Sequence, residues 1–315
     1  MKFWEMNTFP ETWRKMAKRM EETAWDPEDA DFTETMMNKR IKMCTSYLGW
    51  KYTVRLIIKK GIPFDKLKIV EVGCGTGTFS LTLGLLGASV TLIDFNQKIL
   101  EKAKKVYDLY DCQAEFIKAD CLDTPPEEIT GKFDLAVSGG LVEHFTGKDR
   151  ERCIEYHKLL LREGGVAFIG VPNKFSPFYQ WIRFFRKLTR TWEIDVEIPF
   201  SYMEIRRLAK RVNFKNFYVI GNAPLRRDLV DYSCGFISAV IDIFPMSLKE
   251  RIRSWKTDII RGNFSSEIQE DIVKYCHNMV ELIKQEFLNE QEAYNKSQHF
   301  LTNRFSAGLI LFAFK

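Results

Sequence analysis

Paired cysteines, long apolar runs and flexible linkers are all missing from this 315-residue chain. Its seven cysteines (Cys44, Cys74, Cys112, Cys121, Cys153, Cys234 and Cys276) include no Cys-x-x-Cys pair, and their number is odd. That pattern argues against a structural zinc site and against a disulfide framework. Reduced thiols in a cytoplasmic protein are the plain reading. No stretch approaches the roughly 18 consecutive apolar residues of a membrane-spanning helix. Met1 to Met20 mixes charges with aromatics and lacks an apolar core, so no signal peptide is expected. Internal repeats, low-complexity tracts and Gly/Ser linkers are absent too. Only four histidines occur, His144, His157, His277 and His299, so few imidazoles are on hand for catalysis.

What is present is ordinary for a folded domain. Hydrophobic residues make up 45% and charged residues 28%, too apolar a mixture for a disordered chain. The net charge of +5 is mild; it suits an anionic partner without requiring one. Aromatics reach 14%, with 25 Phe and 7 Trp, which points to sizeable apolar pockets or one greasy face.

The spacing of apolar residues divides the chain. Thr12 to Glu22 and Thr35 to Lys60 carry them three and four apart, as helices do, with Pro27 between the two runs and Pro63 after them. Short β-branched runs then alternate with helical stretches. Strands are expected at Leu67–Val72, Ser89–Ile93, Ala114–Ala119, Phe133–Val137 and Val166–Val171. Helices are expected at Thr78–Leu86, Gln97–Tyr107 and Lys148–Leu161. Strands separated by helices of this length pair in parallel through right-handed crossovers. Later, Phe175 to Trp192 is aromatic and basic, Ser201–Arg211 reads as a helix and Phe217–Ile220 as a strand. Residues 224–302 read as mostly helical, and Phe305–Phe314 as a buried final strand. The expected organisation is an N-terminal helical cap (1–62), an α/β core (63–223), a helical insertion (224–302) and a last core strand (303–315).

The most informative segment is Ile69-Val-Glu-Val-Gly-Cys-Gly-Thr-Gly-Thr78. Glycines at this density let a chain turn sharply from strand into helix and bring backbone close to a ligand. The amides at the start of the next helix then point at that ligand. A tight turn with no ligand would look the same taken alone. Asp94 closes the second strand, where a carboxylate can accept from both hydroxyls of a ribose. Asp120 closes the third, further along the same crevice, within reach of an adenine amino group. Either aspartate could merely cap the following helix; two in register with a glycine loop favour a nucleoside.

Glu71-Val-Gly-Cys-Gly-Thr-Gly77, Asp94, Asp120, Phe133-Asp-Leu-Ala-Val-Ser-Gly139 and Gly164-Gly-Val-Ala-Phe-Ile-Gly-Val-Pro-Asn173 together resemble the ordered motifs of class I S-adenosylmethionine (SAM) dependent methyltransferases. The resemblance covers about residues 65–175 well, and loosely reaches the two later strands. It implies a doubly wound α/β fold with a seven-stranded, mostly parallel sheet, the last strand antiparallel and inserted beside the sixth. It also implies SAM as cofactor. Glu71 and Gly73 would lie near its methionine end, within a loop that includes Cys74, Gly75, Thr76 and Gly77. Asp94 would bind the ribose, Phe95 would pack on the adenine, and Asp120 with Cys121 would flank it. Ser138 and Gly139 would lie under the sulfonium.

A dinucleotide-dependent oxidoreductase is the rival, but its fingerprint needs a third glycine one residue later, where Thr78 stands. A SAM-binding partner protein without catalysis also stays open. Methyl transfer from a sulfonium needs alignment above all, and a base helps where the acceptor carries a proton. His144, in Ser138-Gly-Gly-Leu-Val-Glu-His-Phe145, is the candidate base; a histidine that packs the loop is the plainer alternative. Quinone-biosynthesis O-methyltransferases resemble this Glu-His pair but carry a further acidic residue, linked to a divalent metal, where this chain has Gly140. No metal site is therefore expected. Nucleic-acid methyltransferases are disfavoured: Ser-Gly-Gly-Leu replaces Asn/Asp-Pro-Pro-Tyr, and no Pro-Cys dipeptide occurs. The expected partner is a small-molecule acceptor, aromatic or lipid-like, and the 224–302 block is a lid or a homodimer interface. Phe178, Trp181, Ile182, Phe185 and Leu188 share a helical face, with Arg183, Arg186, Lys187 and Arg190 largely elsewhere. A helix covering the core with that face is favoured over peripheral membrane contact.

Overall fold

The computed structural model describes residues 32–188, 197–222, 271–289 and 305–315. The expected helix over Thr12–Glu22, most of the 224–302 block and Arg190 lie outside them. Seven strands form one sheet: β1 (Lys68–Val72), β2 (Ser89–Asp94), β3 (Ala114–Lys118), β4 (Phe133–Gly139), β5 (Leu161–Pro172), β6 (Asn216–Gly221) and β7 (Gly308–Phe314). Their order is β3-β2-β1-β4-β5-β7-β6. The first five pair in parallel. Strand β7 runs antiparallel between β5 and β6.

Helices cover both faces. They are α1 (Glu34–Ser46), α2 (Leu48–Lys59), α3 (Thr78–Gly84), α4 (Gln97–Asp108), α5 (Gly147–Leu160), α6 (Pro177–Leu188), α7 (Tyr202–Arg211) and α8 (Ile272–Asn289). A strand buried on both faces reads as an unbroken apolar run, and β1 buries all but its first residue. One core cluster unites Met37 and Ile41 of α1, Trp50 and Val54 of α2, the β1–β2 face and Cys276 and Val280 of α8. The other packs α5 and α7 beneath the opposite face.

Three differences from the sequence reading have physical causes. The expected single helix over Thr35–Lys60 is two helices, because Tyr47 is extended (φ −75°, ψ 147°). The break is held from afar: the Leu48 N–H donates to the Asn222 carbonyl at 2.9 Å, beyond the end of β6. A Cβ on Gly49 would lie 2.2 Å from Ile310 Cδ1, so α2 packs flush on β7. Second, β5 starts five residues early, directly after α5, and the pairing of β4 with it shifts register between Phe133 and Leu135. Third, α6 covers only part of the face read for it: Phe178, Ile182 and Phe185 are half-buried, while Trp181 is 55% exposed and Leu188 67%. No helix among the described residues is long and apolar enough to cross a membrane.

Candidate functional site

The C-terminal ends of the parallel strands open onto two cavities. The first, about 450 Å³, lies over the ends of β1 and β2 and is walled by Gly73, Cys74, Gly75, Thr76, Asp94 and Phe95. The loop from β1 is clamped to β2, since the N–H groups of Gly73 and Cys74 both donate to the Ile93 carbonyl, at 2.8 and 3.2 Å. Gly75 and Gly77 have φ of +53° and +63°, a region that side chains other than glycine disfavour. They differ in surroundings. A Cβ on Gly75 would meet nothing within 4 Å, so that backbone faces open space. A Cβ on Gly77 would lie 2.8 Å from Leu92 Cδ1 and 3.0 Å from Tyr107 Cε2. Gly77 thus lets α3 sit down on β2, and the Tyr107 hydroxyl donates to its carbonyl at 3.0 Å.

Asp94 is 7% exposed. The Asn96 N–H donates to its Oδ1 at 3.0 Å. Burial pushes its carboxyl up to about 6, against the opposing pull of the Asn96, Gly75 and Phe95 amides. Glu71 sits just behind the glycine loop, at the end of β1. It does not line the cavity; its Oε2 accepts from the Ser80 N–H at 3.0 Å, capping the first turn of α3. Burial raises it to about 7, opposed by the Ser80 hydrogen bonds.

Of the other expected residues, Gly139 and His144 line this cavity, whereas Gly77, Asp120, Cys121 and Ser138 do not. Asp120 Oδ1 accepts from the Leu122 N–H at 2.9 Å, a turn-capping role. Cys121 is buried in the core under the sheet, and Ser138 is fully buried. Sequence reading missed Phe32, Met36 and Arg40 of the N-terminal region, and Asn96, Ile99, Lys102 and Leu141. The spacing of four among Phe32, Met36 and Arg40 does mark one helical face, and Arg40 lies over the Phe32 ring at 5.6 Å. Nothing in the spacing says that this face overhangs a strand end sixty residues away.

The second cavity, about 520 Å³, lies over β4, β5 and β7. Its lining includes the aromatic rings of Trp50, Phe79 and Phe168, and the polar side chains of Glu143, Glu197 and Tyr179. Gly139, Gly140 and His144 line both cavities. The two spaces therefore meet at the turn after β4. A Cβ on Gly139 would meet nothing within 4 Å, which leaves the junction open. His144, half-buried, ends the short 3₁₀ turn Val142–His144. Among the described residues no three His, Cys, Asp or Glu side chains gather as a metal site would require.

Comparison with known proteins agrees with this geometry. Residues 69–165 match the family model described as a methyltransferase domain. A ubiquinone biosynthesis O-methyltransferase of Pelagibacter ubique is 27% identical over 51% of this chain and 70% of its own length. The mitochondrial enzyme of that name from Mus musculus is 33% identical over 42% of this chain. That alignment spans 38% of the mouse protein, so the likeness is one of the central domain. The matched stretch carries the glycine loop, both strand-end aspartates and β4, in a sheet with its last strand reversed. Residues 69–165 thus carry a class I SAM-dependent methyltransferase domain.

The matched residues supply most of the first cavity's lining, joined by Phe32, Met36 and Arg40 from outside them, and most of the second is built from outside them. Cys44, Trp50, Tyr179, Glu197, Asn222 and the start of β7 all lie beyond 69–165. The family likeness therefore bears on the first cavity more than on the second.

Proposed function

We propose that the protein transfers the methyl group of SAM to a small molecule with a largely apolar body, held in the second cavity. The observation that carries this reading is the junction: Gly139, Gly140 and His144 line both spaces, so two ligands would meet there and nowhere else along these walls. SAM fits the first cavity on chemical grounds. Gly75 offers an open backbone, Asp94 a buried carboxylate for the ribose hydroxyls, and Phe95 with Ile99 apolar surface for the adenine. When bound, SAM supplies an activated methyl on a sulfonium, so the protein's task is alignment.

The chain's own residues do the rest. The glycine pair after β4 keeps side chains out of the line between the two ligands. Trp50, Phe79 and Phe168 exclude water and hold the acceptor body. His144 is placed to receive the acceptor's proton. The likeness to ubiquinone biosynthesis O-methyltransferases supports a small acceptor with an apolar part. The six cysteines among the described residues are all unpaired by disulfide, in keeping with a cytoplasmic setting, and the 224–302 block would serve as a lid, a homodimer interface or both. The test is incubation with methyl-labelled SAM and fractionated cell extract. Label appearing in one small-molecule fraction supports the reading. SAM binding with no transfer to any fraction would favour a cofactor-binding protein without catalysis.

A further inference from the structure

The acidic wall of the second cavity is unusual in its burial. Glu143 is 4% exposed and Glu197 9%. Both line the cavity. Glu143 Oε2 has no hydrogen-bonding partner among the described residues, although a buried carboxylate oxygen ordinarily finds one. That oxygen is itself covered, so a ligand donor reaches it once the Glu143 side chain turns toward the cavity that the residue lines. Glu197 is engaged on one oxygen only in the described contacts: the Tyr179 hydroxyl donates to its Oε1 at 2.5 Å.

The two carboxyls are held together by the backbone. The Ile198 N–H donates to the Glu143 carbonyl at 2.9 Å, which fixes the residue after Glu197 beside Glu143. Two guanidinium groups stand behind this wall without lining the cavity. Arg150 donates to Glu204 Oε1 and to the carbonyls of Phe145 and Ile198. Arg183 donates to the Glu197 carbonyl at 3.0 Å. No lysine or arginine is among the described residues that line the cavity, and aromatic rings share the lining. Carboxylates and rings both favour a cation, the first through charge and the second through the negative face of the ring.

We propose that this wall is an amine-recognition subsite, in which Glu143, Glu197 and Tyr179 bind a protonated amino group carried by the apolar acceptor. The proposal rests on the second cavity being the acceptor site, and narrows the acceptor class to apolar amines. The amine brings several N–H donors, enough for the open Glu143 oxygen and the second Glu197 oxygen. A neutral hydroxyl could satisfy one of the two, and an anionic acceptor would be repelled. Burial already holds the Glu143 carboxyl up at about 8, with the Glu197 charge adding and Arg150 opposing. A bound ammonium would relieve that, so binding should bring Glu143 into its ionised form.

The test uses the full chain saturated with S-adenosylhomocysteine and three probes of one shape: 2-phenylethylamine, 2-phenylethanol and phenylacetate. Calorimetry should show the amine binding at least tenfold more tightly than the alcohol, and no phenylacetate binding. Glu143→Gln and Glu197→Gln should each weaken the amine at least tenfold and leave the alcohol within twofold. S-adenosylhomocysteine affinity, unchanged in both variants, checks that they fold. Equal binding of amine and alcohol, or amine binding indifferent to both variants, would overturn the subsite. So would abolition of amine binding by millimolar Mg²⁺, which would assign the carboxyls to a metal. Failure to bind S-adenosylhomocysteine at all would strike the methyltransferase reading itself, and is thereby distinguished.

Discussion

The Arg150 guanidinium lies 3.8 Å from the centroid of the Phe200 ring. Its N–H groups also reach Glu204 Oε1 at 2.6 Å and the carbonyls of Phe145 and Ile198 at 2.9 and 2.8 Å. One side chain thus ties the loop after β4 to the segment that carries Glu197. Methionine at 150 would keep the bulk and strip the donors from two carbonyls, at ~2–6 kcal/mol in all if each costs ~1–3. Chemical denaturation should show that loss. Lysine should restore little, since it lacks the planar fork. An Arg150→Met variant as stable as the parent would mean that the segment is held by its backbone bonds alone.

Gly75 and Gly77 offer a matched pair. Both backbones are left-handed, so alanine at either should cost roughly 1–2 kcal/mol in strain. Only Gly77 would also clash, against Leu92 and Tyr107. Gly77→Ala should therefore be the more destabilising in thermal unfolding. Gly75→Ala should stay folded and lose SAM affinity, because its new methyl occupies the open floor of the cofactor cavity. A reversed pattern would show that the cofactor does not approach Gly75.

How much of this was legible in the chain depends on how local the cause is. The strand–glycine–helix unit, Asp94 and the parallel core follow from residues adjacent in sequence, and the structure places them so. The likeness to a known family supplied the reversed last strand, which no spacing rule would give. The break at Tyr47 was not legible, because its hydrogen-bond partner Asn222 is far along the chain. Glu71 shows a different limit. A buried acidic residue before a glycine loop suits either a ligand or the next helix, and only the Ser80 contact reveals that it serves α3. Glu197 drew no attention because a lone Glu after an aromatic segment has no pattern. Its meaning comes from Glu143, which the fold sets beside it.

Cofactor affinity should depend on pH through Asp94. To accept from ribose hydroxyls on both oxygens the carboxyl must be ionised, and in the free protein it holds its proton up to about 6. Binding then expels a proton below that value. SAM affinity should fall as pH drops from 7 to 5, approaching tenfold per unit at the acid end, and be flat above 7. Calorimetry in two buffers of different ionisation enthalpy should detect the released proton at pH 5.5. Asp94→Asn should flatten the profile and weaken binding at pH 7.5, by ~1.5–3 kcal/mol for hydrogen bonds to a charged group. A profile unchanged in that variant would place the titration elsewhere, with Glu71 the next carboxyl to examine.

Free-protein stability should run the opposite way with pH, from the same burial of carboxyls. Burial raises Glu71 to about 7, Asp94 to about 6 and Glu143 to about 8. A folded carboxyl with a raised value binds more protons than its unfolded counterpart between the two values, so stability declines as pH rises through that window. The cofactor-free protein should lose melting temperature between pH 5 and 8. Glu143→Gln should remove the upper part of that decline, from pH 7 to 8. A melting temperature that rises steadily over the window in the parent would contradict the burial of these groups.

His144 provides the sharpest test of mechanism. It stands where the two cavities meet, in a turn closed by its own N–H to the Leu141 carbonyl at 3.2 Å. A proton leaving the acceptor at the junction has the imidazole within the same wall. The other described carboxyls of the acceptor cavity, Glu143 and Glu197, sit in the recognition wall. With the acceptor found by the extract assay, His144→Gln should lower kcat by ~10²–10⁴, the range for loss of a general base. The acceptor KM and S-adenosylhomocysteine affinity should change less than threefold, since glutamine keeps a polar group of similar reach. A histidine that only packs the turn predicts the opposite split: kcat retained, melting temperature reduced. That result would leave alignment by the glycine pair and the aromatic wall as the whole of the catalytic device.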